Sequence, residues 1–162
     1  MTEKEHVRKY GGKFNIQEGF SWIQSTDLDV RLVLTPGKGS GNVGITSAYH
    51  SPGMAFEPHV HPLSEEILIA HKGRGEMYLY DRWIPVEEGD VVYAPPGVYH
   101  GTRNPAENTE GFYTIGIATP PQLELYQRVG YDVLADGGQA YRERNEERDP
   151  GEDERESVKR GE

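Results

Sequence analysis

Two stretches decide the reading of this chain: GMAFEPHVHPLSEEILIAHKG, Gly53–Gly73, and GDVVYAPPGVYHGTRN, Gly89–Asn104. The first holds His59 and His61, two residues apart, a spacing that puts both imidazoles on one face of a strand. Pro62, Leu63 and Ser64 interrupt the strand, and Glu66 opens the apolar run ILIA. The second holds His100, just after the turn Pro95-Pro96-Gly97. Singly, each of these side chains has an ordinary reading as a surface or capping group. Together, His59, His61, Glu66 and His100 form a nitrogen-rich donor set with one hard oxygen. Such a set suits Fe, Mn, Ni, Co or Zn better than Ca or Mg. Four protein ligands on a six-coordinate ion leave two positions open, and open positions distinguish a reacting site from a closed structural one.

The segments around the two stretches alternate apolar and polar residues with turn signals between them. VRLVLT (Val30–Thr35), NVGITSAYHS (Asn42–Ser51), EMYLYD (Glu76–Asp81) with a hairpin to Trp83–Val86, and GFYTIGIA (Gly111–Ala118) all read as strands. Phe14–Gln24 has strand-like spacing broken by Gly19. Short, regularly spaced strands predict an all-β sandwich or barrel. The cluster Pro36–Gly41 is a turn and not a phosphate loop, because no Lys-Ser/Thr and no helix follow it.

The spacing of the two stretches resembles the cupin superfamily. Gly53, five residues, His59-Val60-His61, four residues, Glu66, six residues and Gly73 match its first motif. Gly89, five residues, Pro95-Pro96-Gly97, two residues, His100, three residues and Asn104 match its second. The resemblance covers about a third of the chain and fills every fixed position. It implies a β-barrel of two antiparallel sheets, the jelly-roll or double-stranded β-helix, with one divalent transition metal per chain held at His59, His61, Glu66 and His100. Glu65 also carries a carboxylate, but only Glu66 leaves six residues before Gly73, so Glu65 is the alternative ligand.

The 162 residues suffice for one domain, and the motif pair occurs once, so a single barrel is expected over 14–120. Residues 1–13 are charged, end in Gly11-Gly12, and read as a flexible arm. Beyond Pro120-Pro121, Leu123, Tyr126 and Val129 recur at helical spacing, predicting a short helical extension over 121–138. Residues 139–162 are mixed charge with almost no apolar content and are expected to be a disordered tail.

The chain has no cysteine, which excludes disulfides and thiolate metal sites and fits the cytoplasm. No signal-peptide core or membrane-length apolar run is present. A formal net charge of −10 argues against nucleic-acid and anionic-membrane partners and leaves a small-molecule substrate. A homodimer through the outer sheet, with Phe14–Gln24 involved, is expected by family resemblance.

Other side chains near the motifs invite roles. Tyr78, Tyr80, Tyr93 and Tyr113, with Leu68, are expected to wall the pocket, where a phenol can orient substrate or bind an oxyanion. Tyr99 flanks the second motif. His71 should point away from the site by strand parity, and His50 is placed at the rim. Arg31 faces either out, or inward against an acidic partner or anionic substrate.

The cupin resemblance spans dioxygenases, oxalate-degrading enzymes, isomerases, cyclases, lyases and binding proteins. The complete ligand set points to an enzyme that binds substrate on the metal. O2-dependent dioxygenase chemistry with a redox metal such as iron leads. The tyrosine-rich wall suits an aromatic or enolic substrate, and few Lys or His remain as an acid–base pair. Redox-neutral isomerase, cyclase or lyase chemistry and non-catalytic small-molecule binding are the alternatives.

Overall fold

A computed structural model describes residues 1–24 and 27–122. The expected helical extension and charged tail therefore lie outside the described residues, except for Pro121 and Gln122. The elements are α1 (Glu3–Tyr10), β1 (Phe20–Gln24), β2 (Leu28–Leu34), a 3-10 turn (Pro36–Lys38), β3 (Gly44–His50), β4 (Ala55–His59), β5 (Glu65–Lys72), β6 (Arg74–Leu79), β7 (Arg82–Glu87), β8 (Val91–Ala94), β9 (His100–Arg103) and β10 (Phe112–Thr119).

The strands form two antiparallel sheets. One runs β1-β2-β3-β10-β5-β8 and the other β4-β9-β6-β7. This is the jelly-roll barrel the motifs imply. Alternation along each strand sets the two faces. On β5, Glu66, Leu68 and Ala70 are buried; on β10, Phe112, Thr114, Gly116 and Ala118 are buried. Strict period-two burial is what a sheet with one face on a core requires.

The core is divided along the barrel axis. Phe112, Met77, Ala70, Val86, Val92 and Leu68 pack as one apolar cluster. In register, Glu66 pairs with Ala118 at one end of the β5–β10 ladder, while Ala70 pairs with Thr114 towards the other. Phe112 and Met77 are fully buried, so the apolar cluster plugs one end. The other end is left to polar side chains.

Gly73 closes the tight β5–β6 turn at φ 78°, and a Cβ there would lie 2.4 Å from the carbonyl oxygen of Gly111. A motif glycine thus marks both a left-handed backbone and a close chain approach.

The arm expected over residues 1–13 contains a helix. Thr2 caps α1: its hydroxyl accepts from Glu5 N at 3.2 Å, and Glu5 Oε2 accepts from Thr2 N at 2.7 Å. The pair is a capping box, Thr-x-x-Glu, which satisfies two otherwise open N–H groups. The absence of a broad apolar face concealed the helix in the sequence. The helix is held on the 3-10 turn, where Val7 lies against Gly39. Arg31 settles on the outer face, half-buried and paired with Asp29 at 2.8 Å.

Candidate metal centre

Four separate pieces of chain deliver the predicted ligands. His59 ends β4 and His100 begins β9, and the two are register partners. His61 lies beyond the end of β4, in the loop before β5, rather than on the strand with His59 as the two-residue spacing suggested. Pro62 has no N–H to donate to a continued ladder there. The loop is held by the hydrogen bond from Gly97 N to His61 O, 2.9 Å, which ties the first motif to the turn of the second. Glu66 enters from β5 by parity, and Glu65 points out.

These placements converge. Candidate ligand atoms of His59, His61, Glu66 and His100 all lie within 4.8 Å of one another. The imidazole centroids are 4.7 Å apart for His59–His100, 4.9 Å for His59–His61 and 5.2 Å for His61–His100. Glu66 Oε2 is 2.7 Å from His100 Nε2 and 3.8 Å from His61 Nε2. His61, Glu66 and His100 are buried, while His59 is half-buried. Phe56 meets the His59 ring edge-on at 4.9 Å and limits its rotation.

The histidine tautomers follow from their backbone partners. His59 Nδ1 is 2.7 Å from Glu57 O, and His100 Nδ1 is 2.8 Å from Val98 O. A carbonyl can only accept, so each Nδ1 carries the proton, and in the neutral form of each ring the Nε2 is left with the lone pair. His100 Nε2 is buried and makes no hydrogen bond of sound geometry, although Glu66 Oε2 stands at contact distance. Inward lone pairs beside a carboxylate repel unless a proton or a cation lies between them. Imidazoles fixed by backbone carbonyls are the usual arrangement of metal-ligating histidines. The residues therefore fit a divalent transition metal.

The electrostatics agree. Burial, then like charge on His61 and His100, pushes the His59 pKa down to about 3. Burial raises the Glu66 pKa, but the His100 contact and the surrounding imidazoles outweigh it and hold the carboxyl below its usual range. For His100, burial works against the charged form, and contact with Glu66 outweighs it, so its pKa rises. A negative carboxylate amid imidazoles is the state a cation would meet at neutral pH.

A cavity of about 40 Å³ adjoins the cluster. Val30, Ala48, Phe56 and Leu68 make its apolar wall, and Thr46, Thr102, Thr114 and Gln122 supply polar groups. This is space for a few water-sized groups, at roughly 10–15 Å³ each. Among the described residues, no Lys or Arg lines it. Leu68 is where the sequence placed it.

The four tyrosines are not. None of Tyr78, Tyr80, Tyr93 and Tyr113 lines the cavity, and strand parity is the reason. Phe112 and Thr114 point in, so Tyr113 points out against Tyr49 at 4.9 Å, with Lys72 Nζ 5.5 Å from its ring. Val92 and Ala94 point in, so Tyr93 points out, half-exposed, and donates to Glu65 Oε2 at 2.8 Å. This also uses Glu65 on the outer surface and leaves Glu66 as the carboxylate of the histidine cluster. Tyr78 packs on Trp83 at 5.3 Å on the outer face, and Tyr80 is exposed at φ 63° in the β6–β7 turn. Tyr99 is exposed, as is His71, which parity had turned away. His50, placed at the rim by the sequence, is instead fully buried, its Nε2 2.9 Å from Thr102 Oγ1.

Two site residues escaped the sequence reading. Gly116 lies inside β10, where an added Cβ would come within 2.7 Å of both Glu66 Oε1 and Thr46 Oγ1. An isolated glycine in a strand is a recognised sign of close approach, so this signal was available. Gln122 follows Pro120-Pro121, and nothing in its local sequence marks it. Its Nε2 donates to Glu66 Oε2 at 3.0 Å.

Residues 49–113 match the family model described as cupin domain. Over 55 residues the chain is 44% identical to glucose-6-phosphate isomerase of Pyrococcus horikoshii, covering 31% of this chain and 29% of that protein's length. The barrel superposes on KdgF from Halomonas sp. with a TM-score of 0.57 at 19% identity, covering 71% of this chain and 98% of that one. It superposes equally, at 0.57 and 17% identity, on a predicted oxalate decarboxylase from Thermotoga maritima, over 68% of this chain and 100% of that one. At such identities the structural likeness speaks for the fold alone.

Proposed function

We propose that this chain, whose residues 49–113 match the cupin-domain model, is a metal-dependent enzyme binding a small oxygen-bearing substrate directly on a divalent metal. The observation that carries this reading is the convergence of three imidazoles and one carboxylate beside a small hydroxyl-lined cavity. A bound metal would supply a Lewis acid for the substrate oxygen or, if redox-active, a route to O2. His59, His61, Glu66 and His100 would hold it, and one carboxylate against a divalent charge leaves a net positive centre that favours an anionic or enolic oxygen. The apolar wall excludes water from that oxygen. The threonine hydroxyls offer hydrogen bonds that orient the substrate.

O2-dependent dioxygenase chemistry remains the first reading of the reaction. The four tyrosines lie outside the cavity and give it no support. Its other support is stronger: among the described residues, the only titratable groups lining the cavity are His59, Glu66 and His100, the ligands themselves. No separate acid–base pair of the kind isomerisation needs is present there. The likeness to an isomerase favours the redox-neutral alternative, but the described lining offers no cation for a phosphate ester.

Metal analysis of protein purified without added metal, followed by oxygen uptake against diketones, catechols and keto acids, tests the reading. Loss of turnover in His59→Ala with the fold kept supports an enzyme over a binding protein. Full turnover without oxygen would replace the dioxygenase reading with the Lewis-acid one. The proposal extends to a homodimer in the cytoplasm, packed through the outer face of the six-stranded sheet with Phe14–Gln24 involved.

A further inference from the structure

Past β10 the chain does not leave the barrel at once. Pro120 and Pro121 lack the N–H that would continue the ladder, and β10 ends at Thr119. Ser64 Oγ donates to Pro120 O at 2.7 Å, Pro121 is fully buried, and Gln122 is only 3% exposed. The strap 119–122 thus sets the Gln122 amide in the wall of the metal-centre cavity, four residues beyond Ala118, the ladder partner of Glu66.

There the amide meets Glu66 in a specific way. An ionised carboxylate only accepts, so Gln122 must offer its NH2 group. It offers it to Oε2, the oxygen that also faces His100 and His61. The other oxygen, Oε1, lies over Gly116, where even one added methyl group would stand 2.7 Å away. One carboxylate oxygen is therefore hydrogen-bonded to Gln122, and the other lies in the space that the missing side chain of Gly116 leaves open.

We infer that Gln122 is a positioning residue of the metal centre, which orients Glu66 so that Oε2 is presented to the metal. The inference rests on the metal-centre reading above. It makes a segment outside both histidine motifs part of the site. An outer hydrogen bond to a metal-binding side chain tunes affinity about 10- to 100-fold.

The test uses the full chain, Co(II) alone as probe, and two variants that lack the donor but keep similar bulk, Gln122→Met and Gln122→Leu. Co(II) affinity is measured against a competing chelator, and ligand geometry is read from the visible absorption bands of the Co(II) protein. Both variants are expected to bind Co(II) about 10- to 100-fold more weakly, with shifted bands. Ser64→Ala releases the strap without touching the cavity amide and is expected to shift the bands in the same direction by less. It decides the matter if the Gln122 variants do not fold. Folded variants with wild-type affinity and an unchanged spectrum would overturn the inference alone. A wild-type protein that takes up no Co(II) would overturn the metal-centre reading as well.

Discussion

At Gly116 the absence of a side chain makes room for the Glu66 carboxylate. The Glu66 carboxylate occupies the volume a Cβ would need, and both are buried. Gly116→Ala is expected to displace Glu66 or Thr46 and to weaken metal binding by about tenfold or more. Overpacking of this kind destabilises by about 1–3 kcal/mol, so circular dichroism melting should show a folded but less stable protein. Chelator competition checks the affinity, and an unchanged dissociation constant would mean that the added methyl group leaves the Glu66 carboxylate in place or that Glu66 does not bind the metal. His50 is the second residue with a consequence of its own. Burial pushes its pKa down from 6.5 to about 4, against the backbone of Phe112, which favours the charged form. The unfolded chain therefore binds a proton at a pH where the folded chain refuses it. Stability from this group is complete above pH 6.5 and is lost as pH falls from there towards 4. At about 1.4 kcal/mol per pH unit, the loss is roughly 2–3 kcal/mol by pH 4.5. Urea denaturation at pH 7.5 and 4.5 measures it, and His50→Gln should lose less stability over that interval.

Among the elements, β10 does the most. It bridges β3 and β5 in the six-stranded sheet, and its inward face runs Phe112, Thr114, Gly116, Ala118. One strand thus carries the apolar plug at one end and the space for the carboxylate at the other. Phe112→Ala is expected to cost about 3–5 kcal/mol, because the ring is fully buried and its neighbours are held in the same sheets. The damage should centre on the end away from the ligands. The stability loss, read by chemical denaturation, should therefore exceed any loss of metal affinity measured on the folded fraction. Equal loss of both would mean that plug and site are one unit. The loop between β4 and β5 makes a complementary point. His61 reaches the centre through a hydrogen bond to Gly97 and not through strand pleat, so the two motifs hold each other.

For the whole molecule, the outer face of the six-stranded sheet presents Ile67, Val91 and Tyr93 at 36%, 60% and 50% exposure. An apolar sheet face of this kind is a candidate interface. If the proposed homodimer packs there, Ile67→Lys should give a monomer by light scattering at micromolar concentration, with metal binding kept because Ile67 points away from Glu66. A wild-type monomer under the same conditions would remove the dimer. No helix among the described residues is long and apolar enough to cross a membrane.

Much of this protein was legible before any tertiary structure. The barrel class follows from short alternating segments. The four candidate ligands follow from two motifs whose fixed positions encode turns, as at Gly73, and donors, as at His59 and His100. These are local properties: pleat parity, turn chemistry and ligand type are set by residues a few positions apart. The tyrosines show the limit. Parity places a side chain on one of two faces but does not say which face is inside, so Tyr93 and Tyr113 were assigned to the wrong one. Gln122 and the inward Nε2 of His100 show the other limit. Which distant groups meet depends on sheet order and on where the chain crosses the barrel. A glutamine 56 residues from Glu66 has no local mark of the hydrogen bond it makes. The donor set belongs to the sequence; its convergence, the cavity beside it and the amide that steadies Glu66 belong to the fold, because only chain closure brings them within reach of one another.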